Sequence, residues 1–410
     1  MRICLLCYRG NPHSGGQGVY AHYLSKELQM LGHEVHVLAG PPYPHLVSTV
    51  PVHKLESLEL YDSMRPLRSQ LSRVRNPLRL YEFLAVSLGM FPEPLTFSIR
   101  ALLKLRELHA DLKFDVVHDN QCLGYGLLPM KSLPVPVVAT IHHPVTIDKR
   151  LALAQARRCR EKFRLRRWYS FTLMQRLVSQ RLDRIVTVSH QSAVDIQSDF
   201  KVPQERIRVV HNGVDAAFFR RDHAIARQPH SLIAVDSGAS YIKGTHYLLR
   251  ALHLLKGRGN SPVRLTLVGK NCANSETGGM VRRYGLEDTV TFAGSVDKGR
   301  LVELYSAAEI AVVPSVYEGF GFPAVEAMAC ELPVIATRAG ALPEVVGEDG
   351  HAGLQVPPAD PEALATAIER LLSADEERKS MGQAGRERVE QLFNWRRAAQ
   401  ETVRVYEEVI

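Results

Sequence analysis

The chain opens with RICLLCYRGNPHSGGQGVYAHYLSKELQMLGHEVHVLA, residues 2–39, and this stretch decides the fold. Residues 2–8 form an apolar run of strand length, and HSGGQG at 13–18 follows as a glycine-rich turn. Apolar side chains then recur at helical spacing up to Gly32, which is suited to end a helix, and 34–39 form the next apolar run. Strand, glycine-rich turn, helix and strand in this order predict a βαβ unit.

Short apolar strands and helical segments alternate along the rest of the chain. In the first half, further strands are predicted at 114–118, 136–141 and 184–188, with a helix at 96–110. After a polar loop, the second half repeats the pattern, with strands at 232–235, 263–268, 289–293, 310–313 and 333–336. Such alternation predicts parallel sheets with helices on both faces.

The predicted fold class is therefore α/β, with two Rossmann-like, doubly wound domains that face each other across a cleft. We expect one domain at 1–210 and the other at 220–385, and we expect the last helix, about 394–410, to cross back onto the first domain. The length of 410 residues also favours two domains. Ligands of open α/β sheets bind beyond the carboxyl ends of the strands, so site residues are expected there.

Composition and cysteine usage predict a cytoplasmic globular protein. Hydrophobic residues make up 45% of the chain and charged residues 23%, which is ordinary for such proteins. No apolar run approaches the roughly 20 residues that span a bilayer, and the N-terminus has no signal-peptide core. Cys4 and Cys7 lie three apart in a predicted strand and so face opposite sides, which favours buried structural thiols over a redox or zinc site.

The net charge of +8 is concentrated in one segment, 150–181, which carries many arginines and a single acid, Glu161. Apolar residues such as Phe163 and Trp168 are interleaved with these arginines. A basic amphipathic helix suits an anionic membrane surface, so the protein is expected to be peripheral on the inner face of a membrane. A solvated helix face explains the same pattern equally well.

The glycine loop at 13–18 follows the first strand and opens a helix, where backbone amides suit an anion such as phosphate. Its spacing is G-G-x-G rather than G-x-G-x-x-G, and no acidic residue of the dinucleotide type follows the second strand. These two differences argue against a nicotinamide enzyme. A tight turn between strand and helix is the alternative.

Histidine and lysine side chains also follow predicted strands. His142 and His143 come directly after one strand, and His118 is predicted to end another. Lys243 lies between a strand and a helix, where its ammonium group could neutralise a diphosphate. Each of these residues has an ordinary structural or surface role as its alternative.

Residues 315–329, SVYEGFGFPAVEAMA, join a strand to a helix through two glycines and carry two glutamates. Pro323 is predicted to begin the helix, with Phe322 at the N-cap and Glu326 in the first turn. A capping box needs Ser or Thr at the N-cap, so Glu326 is not explained by capping. Carboxylates beside a helix N-terminus would instead accept hydrogen bonds from ribose or sugar hydroxyls, while the N-terminus attracts a diphosphate.

The whole chain resembles the retaining glycosyltransferases of family 4, which have the GT-B fold. The stretch from Glu318 to Glu326 matches the E-x7-E motif of that family. Four segments are similar to the family, at 13–40, 209–215, 312–346 and 356–372. The resemblance implies transfer of a hexosyl unit from a UDP- or GDP-sugar to an acceptor hydroxyl with retention at the anomeric carbon. The acceptor would be a sugar, a small molecule, or a lipid-linked or cell-envelope glycan.

The resemblance also implies a role for each matching residue. Glu318 and His142 would act next to the reacting sugar, and His142 is preferred to His143 and His118. The implied donor-binding residues are Gly15 and Gly16 at the diphosphate, Lys243 at the phosphates, Phe320, Gly321 and Phe322 through their backbone, and Glu326 at the ribose. No metal or other cofactor is expected in this family.

Two positions depart from the family pattern. The family has a second phosphate-binding cation, an arginine, where this chain has Gly238. It commonly has glycine where this chain has Glu331.

Three other functions are weighed against transfer. A glycosidase also uses two carboxylates, but it leaves Lys243 and the glycine loop unexplained. A nucleotide-sugar epimerase or hydrolase would convert the donor without an acceptor. A non-catalytic protein would use 150–181 to bind a membrane or nucleic acid. We expect the transferase, with no nucleic-acid partner.

Overall fold

The structure is a computed structural model that describes residues 1–10, 16–58, 76–236, 241–259, 262–270, 273–347 and 350–410. The chain divides into two compact units. Unit 1 comprises Met1–Val210 together with Ala398–Ile410, and unit 2 comprises His211–Arg397. Of the residues discussed above, Gly15 and Gly238 lie outside the described part of the chain.

Unit 1 is built on a parallel seven-stranded sheet with the strand order β3-β2-β1-β4-β5-β6-β7. Its strands are β1 (Arg2–Cys7), β2 (Glu34–Ala39), β3 (Val52–Lys54), β4 (Val116–Asn120), β5 (Val137–Ile141), β6 (Arg184–Thr187) and β7 (Ile207–Val209). Leu5 on β1 pairs with Val37 on one side and with His118 on the other. The strand order reverses beside β1, so the carboxyl ends of β1 and β4 flank the switch point where α/β sheets bind ligands.

Helices cover this sheet, and they divide the basic segment into pieces. The helices of unit 1 up to Val210 are α1 (Gly16–Met30), α2 (Pro77–Ser87), α3 (Glu93–Leu112), α4 (Leu127–Met130), α5 (Val145–Gln155), α6 (Cys159–Trp168), α7 (Phe171–Ser179) and α8 (His190–Phe200). The prediction of one basic amphipathic helix over 150–181 was wrong. Ala156 and Arg158 have extended backbones that separate α5 from α6, and α6 has no buried residue.

Unit 2 has a parallel six-stranded sheet with the order β10-β9-β8-β11-β12-β13. The strands are β8 (Ser231–Asp236), β9 (Arg264–Gly269), β10 (Val290–Gly294), β11 (Ile310–Val313), β12 (Val334–Thr337) and β13 (Leu354–Val356). Its helices are α9 (Thr245–Gly257), α10 (Glu276–Arg283), α11 (Lys298–Ala307), α12 (Phe322–Ala329), α13 (Leu342–Val346), α14 (Pro361–Ser373) and α15 (Asp375–Leu392). Here the order reverses beside β8, between β9 and β11.

Both sheets are buried on both faces, as parallel sheets require. Strand residues such as Val117, Ala139 and Ile185 in unit 1 and Leu265 and Val312 in unit 2 have almost no exposed surface. The apolar runs of the sequence are therefore core strands. The α/β class with two Rossmann-like units is confirmed.

Cysteines on β1 belong to this core. Cys4 and Cys7 are both free and fully buried. Burial raises the pKa of the Cys7 thiol to about 12, so it stays protonated at neutral pH. The two thiols therefore fill space in the core.

The predicted strand at 114–118 is shifted by two residues in the structure. Because β4 runs from Val116 to Asn120, His118 lies inside the strand and not at its end. His118 is fully buried, and burial lowers its pKa to about 3. Sequence periodicity locates such a strand well, but it does not fix the residue at which the strand ends.

The last helix, α16 (Trp395–Glu407), is anchored to unit 1 by its final turn. The hydroxyl of the fully buried Tyr406 lies 2.6 Å from His118 Nδ1. Beyond the helix, Glu408 accepts hydrogen bonds from Arg184 Nε and Arg208 Nε, both at 2.9 Å. These arginines lower the pKa of Glu408. The C-terminus is thus held against β4, β6 and β7.

Tyr406→Phe tests the buried bond to His118. Without the hydroxyl, Nδ1 of a fully buried imidazole loses its partner, and we expect a loss of about 1–3 kcal/mol in the free energy of unfolding. Urea unfolding measures this change. Tyr125→Phe, at a tyrosine that is 42% exposed, serves as the control and should leave stability unchanged. Equal stability of Tyr406→Phe and wild type would show that the bond contributes nothing.

Candidate active site

In unit 2, the turn that carries Lys243 is fixed against the loop that follows β11. Lys243 ends a short 3-10 turn, Tyr241–Lys243, and Gly244 caps α9 with a φ of 66°. A Cβ atom on Gly244 would lie only 1.9 Å from the carbonyl oxygen of Pro314, so the close approach requires glycine. The Val316 amide also donates to the Ile242 carbonyl at 2.7 Å.

Lys243 and Glu318 contact each other directly. Lys243 Nζ lies 2.6 Å from Glu318 Oε1, and Ser315 Oγ donates to the same oxygen at 2.9 Å. Glu318 is 9% exposed and the side chain of Lys243 22% exposed, so this is not a solvated surface lysine. Burying such a pair has a desolvation cost, which makes a purely stabilising role a weak explanation.

Helix α12 begins one residue earlier than predicted. Gly321 is its N-cap, with a φ of 101°, and Phe322 is its first residue. Glu326 is therefore the fifth helical residue. A glycine caps this helix because the position is left-handed and because a Cβ there would lie 2.8 Å from Leu342 Cδ2. The prediction of Phe322 as N-cap was wrong.

The aromatic side chains of this loop point into unit 2. Phe320 is 4% exposed, and its ring lies 5.7 Å from that of Phe393. Phe322 is half-buried and stacks with Trp395 at 6.4 Å. What the loop can offer to a ligand is therefore its backbone, at the N-terminus of α12.

Glu326 faces a buried tyrosine on α11. The Tyr305 hydroxyl lies 3.4 Å from Glu326 Oε2 and also 3.4 Å from the carbonyl oxygen of Pro323, and it can donate to only one of them at a time. Burial raises the pKa of Glu326 to about 7, and the positive charge of Lys298 partly opposes this rise. A partly desolvated carboxylate of this kind is typical of a functional site.

The opposite end of α12 is surrounded by arginines. Arg386 Nη1 donates to the Ala329 carbonyl at 2.6 Å, and Arg227 Nη2 donates to the Glu331 carbonyl at 2.8 Å. Cations at a helix C-terminus satisfy its free carbonyls and its dipole. Glu331 has a φ of 53°, the left-handed conformation that glycine adopts most easily. Its carboxylate lies 4.0 Å from Arg221 Nη1.

In unit 1, His142 follows the last residue of β5. Its Nε2 lies 2.8 Å from Asn120 Oδ1, and its ring meets the ring of Tyr20 edge-on at 4.9 Å. Burial lowers the pKa of His142 to about 3, and the neighbouring His143 and His118 lower it further in the same direction. His142 is therefore a neutral imidazole at physiological pH.

The structure separates His142 from the other two candidates. His118 is enclosed between Tyr406 and Thr140, which its Nε2 contacts at 2.7 Å. His143 Nε2 pairs with Asp148 Oδ2 at 2.9 Å. Among the three, His142 is the one joined through Asn120 to the first turn of α1, which begins at Gly16.

Sequence reasoning missed the residues that surround these candidates. Asn120, Gln121, Ser315 and Tyr305 all contact a predicted site residue. Asn120 ends β4, so the rule that site residues follow strand ends would have found it if the strand boundary had been right. Nothing in the sequence pairs Tyr305 with Glu326, because that contact joins separate helices.

Within the described residues, no helix combines the length and apolarity that crossing a membrane requires.

Two family models match the chain. "Glycosyltransferase Family 4" matches residues 14–218, and "Glycosyl transferases group 1" matches residues 215–388. The chain is 43% identical over 412 residues to an "MMP alpha-(1->4)-mannosyltransferase" of Mycolicibacterium hassiacum, an alignment that covers 100% of this chain and 98% of that protein. It is 28% identical over 418 residues to a glycogen synthase of Mycobacterium tuberculosis, covering 99% and 94%.

Solved structures share the fold over the full length. A sucrose-phosphate synthase from Thermosynechococcus elongatus superposes with a TM-score of 0.75 at 24% identity, covering 100% of this chain and 99% of that one. HepE of Anabaena, solved with UDP and glucose, superposes with a TM-score of 0.73 at 18% identity, covering 100% of both. The fold is therefore GT-B, and the chain belongs to glycosyltransferase family 4.

Proposed function

We propose that this protein is a retaining hexosyltransferase that uses a UDP- or GDP-sugar and glycosylates a hydroxyl of a sugar acceptor. The observation that carries the proposal is the pair between Lys243 and Glu318, whose Nζ and Oε1 atoms lie 2.6 Å apart. The pair joins a cation, Lys243, in the segment after β8 to a carboxylate, Glu318, in the loop after β11. The carboxylate can accept hydrogen bonds from hydroxyl groups. The Mycolicibacterium relative suggests mannose as the first sugar to test and the 4-hydroxyl as the first acceptor position.

Each side chain of this group suits one part of a nucleotide sugar. An ammonium group has three donors, so Lys243 can keep its bond to Glu318 and still donate to phosphate oxygens. The free amides at the start of α12 add positive potential for the same diphosphate. Glu318 would accept hydrogen bonds from hydroxyls of the sugar, and Glu326 would accept them from the ribose.

In the proposed reaction, the bond between the anomeric carbon and the diphosphate oxygen breaks and the diphosphate keeps the electron pair. The acceptor oxygen bonds to the same face of the sugar, and its proton leaves on the diphosphate. The charge that develops on the leaving group is stabilised by Lys243 and by the amides of α12. We propose that no metal ion is needed, so activity should survive chelation with EDTA.

We further propose that unit 1 approaches an anionic membrane through a basic and apolar surface, which would serve a lipid-linked acceptor. Helix α6 has no buried residue, exposes Phe163 and carries Arg160, Arg164, Arg166 and Arg167. Helix α2 exposes Leu80 and Leu84, and the exposed Leu88 at its C-cap continues the four-residue spacing of one helix face. The segment that follows α2 contacts the end of α6, because the rings of Phe91 and Trp168 lie 5.3 Å apart.

Donor identity can be tested by calorimetry with UDP, GDP, ADP and their hexose conjugates. We expect tight binding of the nucleotides that carry one of these bases. Lys243→Met should reduce that affinity about 10- to 100-fold, because a charge-assisted contact to the diphosphate is lost. Lys256→Met, at an exposed lysine of α9, should bind normally. Lys243→Met by itself leaves the Glu318 carboxylate without its cation. The double variant Lys243→Met with Glu318→Gln removes that carboxylate charge as well.

The binding donor is then incubated with and without mannose oligomers, in EDTA, and the products are analysed by mass spectrometry and NMR. An α-linked product from an α-linked donor means retention. Rapid donor turnover without any acceptor would favour an epimerase or hydrolase. No binding of any nucleotide would reject the transferase.

Donor binding should depend on pH through Glu326, whose pKa is about 7. The ionised carboxylate accepts hydrogen bonds from ribose, so affinity should fall roughly tenfold between pH 8 and pH 6 as the carboxylate is protonated. An intact nucleotide sugar is the right probe, because its diphosphate does not titrate in this range. Glu326→Gln should bind more weakly and without this pH dependence, whereas Glu287→Gln, at an exposed glutamate, should match wild type. A flat wild-type profile would contradict the ribose role.

Membrane docking is tested by flotation with vesicles of phosphatidylcholine, with or without phosphatidylserine. We expect binding to the anionic vesicles only, with loss in high salt and on changing Arg160, Arg164 and Arg166 to Glu. Reversing Arg220, Arg282 and Arg283, which are exposed on unit 2, gives a control of equal charge. If both triple variants float like wild type, or if wild type does not float, the surface is a solvated one.

A further inference from the structure

Asn120 uses one buried side-chain amide to join two parts of unit 1. It is the last residue of β4 and has no exposed surface. Its Nδ2 donates to the Gln17 carbonyl, in the first turn of α1, at 3.0 Å. Its Oδ1 lies 2.8 Å from His142 Nε2. The start of α1 and the histidine are therefore positioned by the same group.

These contacts determine which nitrogen of His142 carries the proton. A backbone carbonyl can only accept, so the amide nitrogen of Asn120 must face Gln17 and its oxygen must face His142. That oxygen also can only accept, so His142 Nε2 must be the protonated nitrogen. Since the pKa of His142 is lowered to about 3 by burial, the ring is neutral and Nδ1 carries the lone pair.

Gln121 holds the backbone on both sides of His142. Its Oε1 accepts from the His142 amide at 2.6 Å, and its Nε2 donates to the His143 carbonyl at 2.9 Å. Gln121 is buried and has a φ of 57°, a left-handed conformation that is unfavourable for a residue with a side chain. Strain of this kind persists where the surroundings hold it, and it concentrates at functional sites. Gln175 adds to this restraint with a long bond, 3.4 Å, to the Gln121 carbonyl.

We infer that Asn120 and Gln121 are positioning residues for sugar transfer, and that they present His142 to the sugar only as a hydrogen-bond acceptor, through Nδ1. Asn120 sets the tautomer, and Gln121 sets the backbone from which the ring projects. This inference rests on the proposed function, because it assigns His142 a bound sugar. It excludes His142 as the acid that protonates the leaving group.

The other groups around His142 do not compete for this role near neutral pH. His143, the next residue in the chain, is paired with Asp148. His118, on β4, is buried and neutral. Tyr20 on α1 and Cys7 on β1 stay protonated, because burial raises the pKa of both.

Two further side chains lie nearby. Asp119 precedes Asn120 on β4, and its carboxylate accepts from the Leu123 amide at 2.9 Å. Burial raises the pKa of Asp119 to about 7, so it titrates in wild type and variant alike, and the comparison between them isolates the effect of residue 120. Ser192 on α8 contacts the His142 carbonyl oxygen at 3.2 Å and not the ring.

The test is Asn120→Asp, followed by NMR of the imidazole nitrogens of His142 in the full-length protein. Wild type should show the neutral Nε2–H tautomer from pH 5 to pH 8. The carboxylate of the variant should raise the pKa of His142 from about 3 toward about 6, so that the ring becomes protonated as the pH falls toward 5. Because neutral His142 is the active form, the kcat of the variant should also fall steeply on acidification, whereas the kcat of wild type should not.

Gln121→Glu keeps the acceptor for the His142 amide but removes the donor to the His143 carbonyl. We expect the tautomer and the pH profile to stay as in wild type while kcat falls about tenfold to a hundredfold through misplacement of the ring. Gln180→Leu is the control, since it removes an amide that donates to the Phe200 carbonyl at 2.7 Å, elsewhere in unit 1. It should lower the melting temperature without changing kcat.

A wild-type His142 that carries its proton on Nδ1 would overturn the inference. So would an Asn120→Asp variant whose His142 keeps its wild-type tautomer and pKa, or whose loss of kcat is the same at every pH. Failure of the proposed function is a separate result, because absence of any sugar transfer by wild type leaves the NMR measurement intact.

Discussion

The buried pair between Lys243 and Glu318 is the contact on which the organisation of unit 2 around its switch point depends. It joins the turn after β8 to the loop after β11, two segments that are 75 residues apart in the sequence. Ser315 adds a bond to the same carboxylate oxygen. The fit at Gly244 lets the two segments approach closely enough to form the pair. Removing such a charge pair from water has a desolvation cost that the attraction between the two charges offsets only in part.

The two ends of helix α12, which follows Glu318, have different surroundings in unit 2. Its N-terminus is left open by a glycine cap with no side-chain bond, while its C-terminal carbonyls are occupied by Arg386 and Arg227. One end is thus available for an anion, and the other is closed by cations. The left-handed Glu331 belongs to the closed end, where Arg227 takes its carbonyl oxygen. The departure from the family pattern at this position is therefore accommodated by arginines.

In unit 1, uncharged groups hold the candidate site residue His142 in place. Around His142 the contacts are amides and hydroxyls, and burial keeps the imidazole neutral with its pKa near 3. The hydroxyls of Tyr20 and Thr140, the ring of His118 and the hydroxyl of Tyr406 continue this network as far as the last helix. The candidate sites of the two units therefore differ in chemistry. In unit 2 the candidate residues Lys243 and Glu318 are charged, whereas in unit 1 the candidate residue His142 is neutral and is held by hydrogen bonds.

The sequence by itself determined the α/β class, the two Rossmann-like units, the positions of Lys243 and Glu318 in segments that follow strands, and the position of Glu326 in the helix after Glu318. Apolar runs, glycines and prolines are local signals, so they locate strands, turns and the approximate starts of helices. The sequence did not fix the residues at which helices and strands begin and end. The starts of α12 and β4 and the division of 150–181 into three helices are examples.

Only the tertiary structure showed how the surroundings of the three histidines differ and which side chains hold His142. The contacts of Asn120 with Gln17 and His142, and of Tyr305 with Glu326, join residues that are distant in sequence. The same is true of the burial that sets the pKa of Glu326 and of His142. Packing between strands and helices creates these contacts, and no local pattern encodes them.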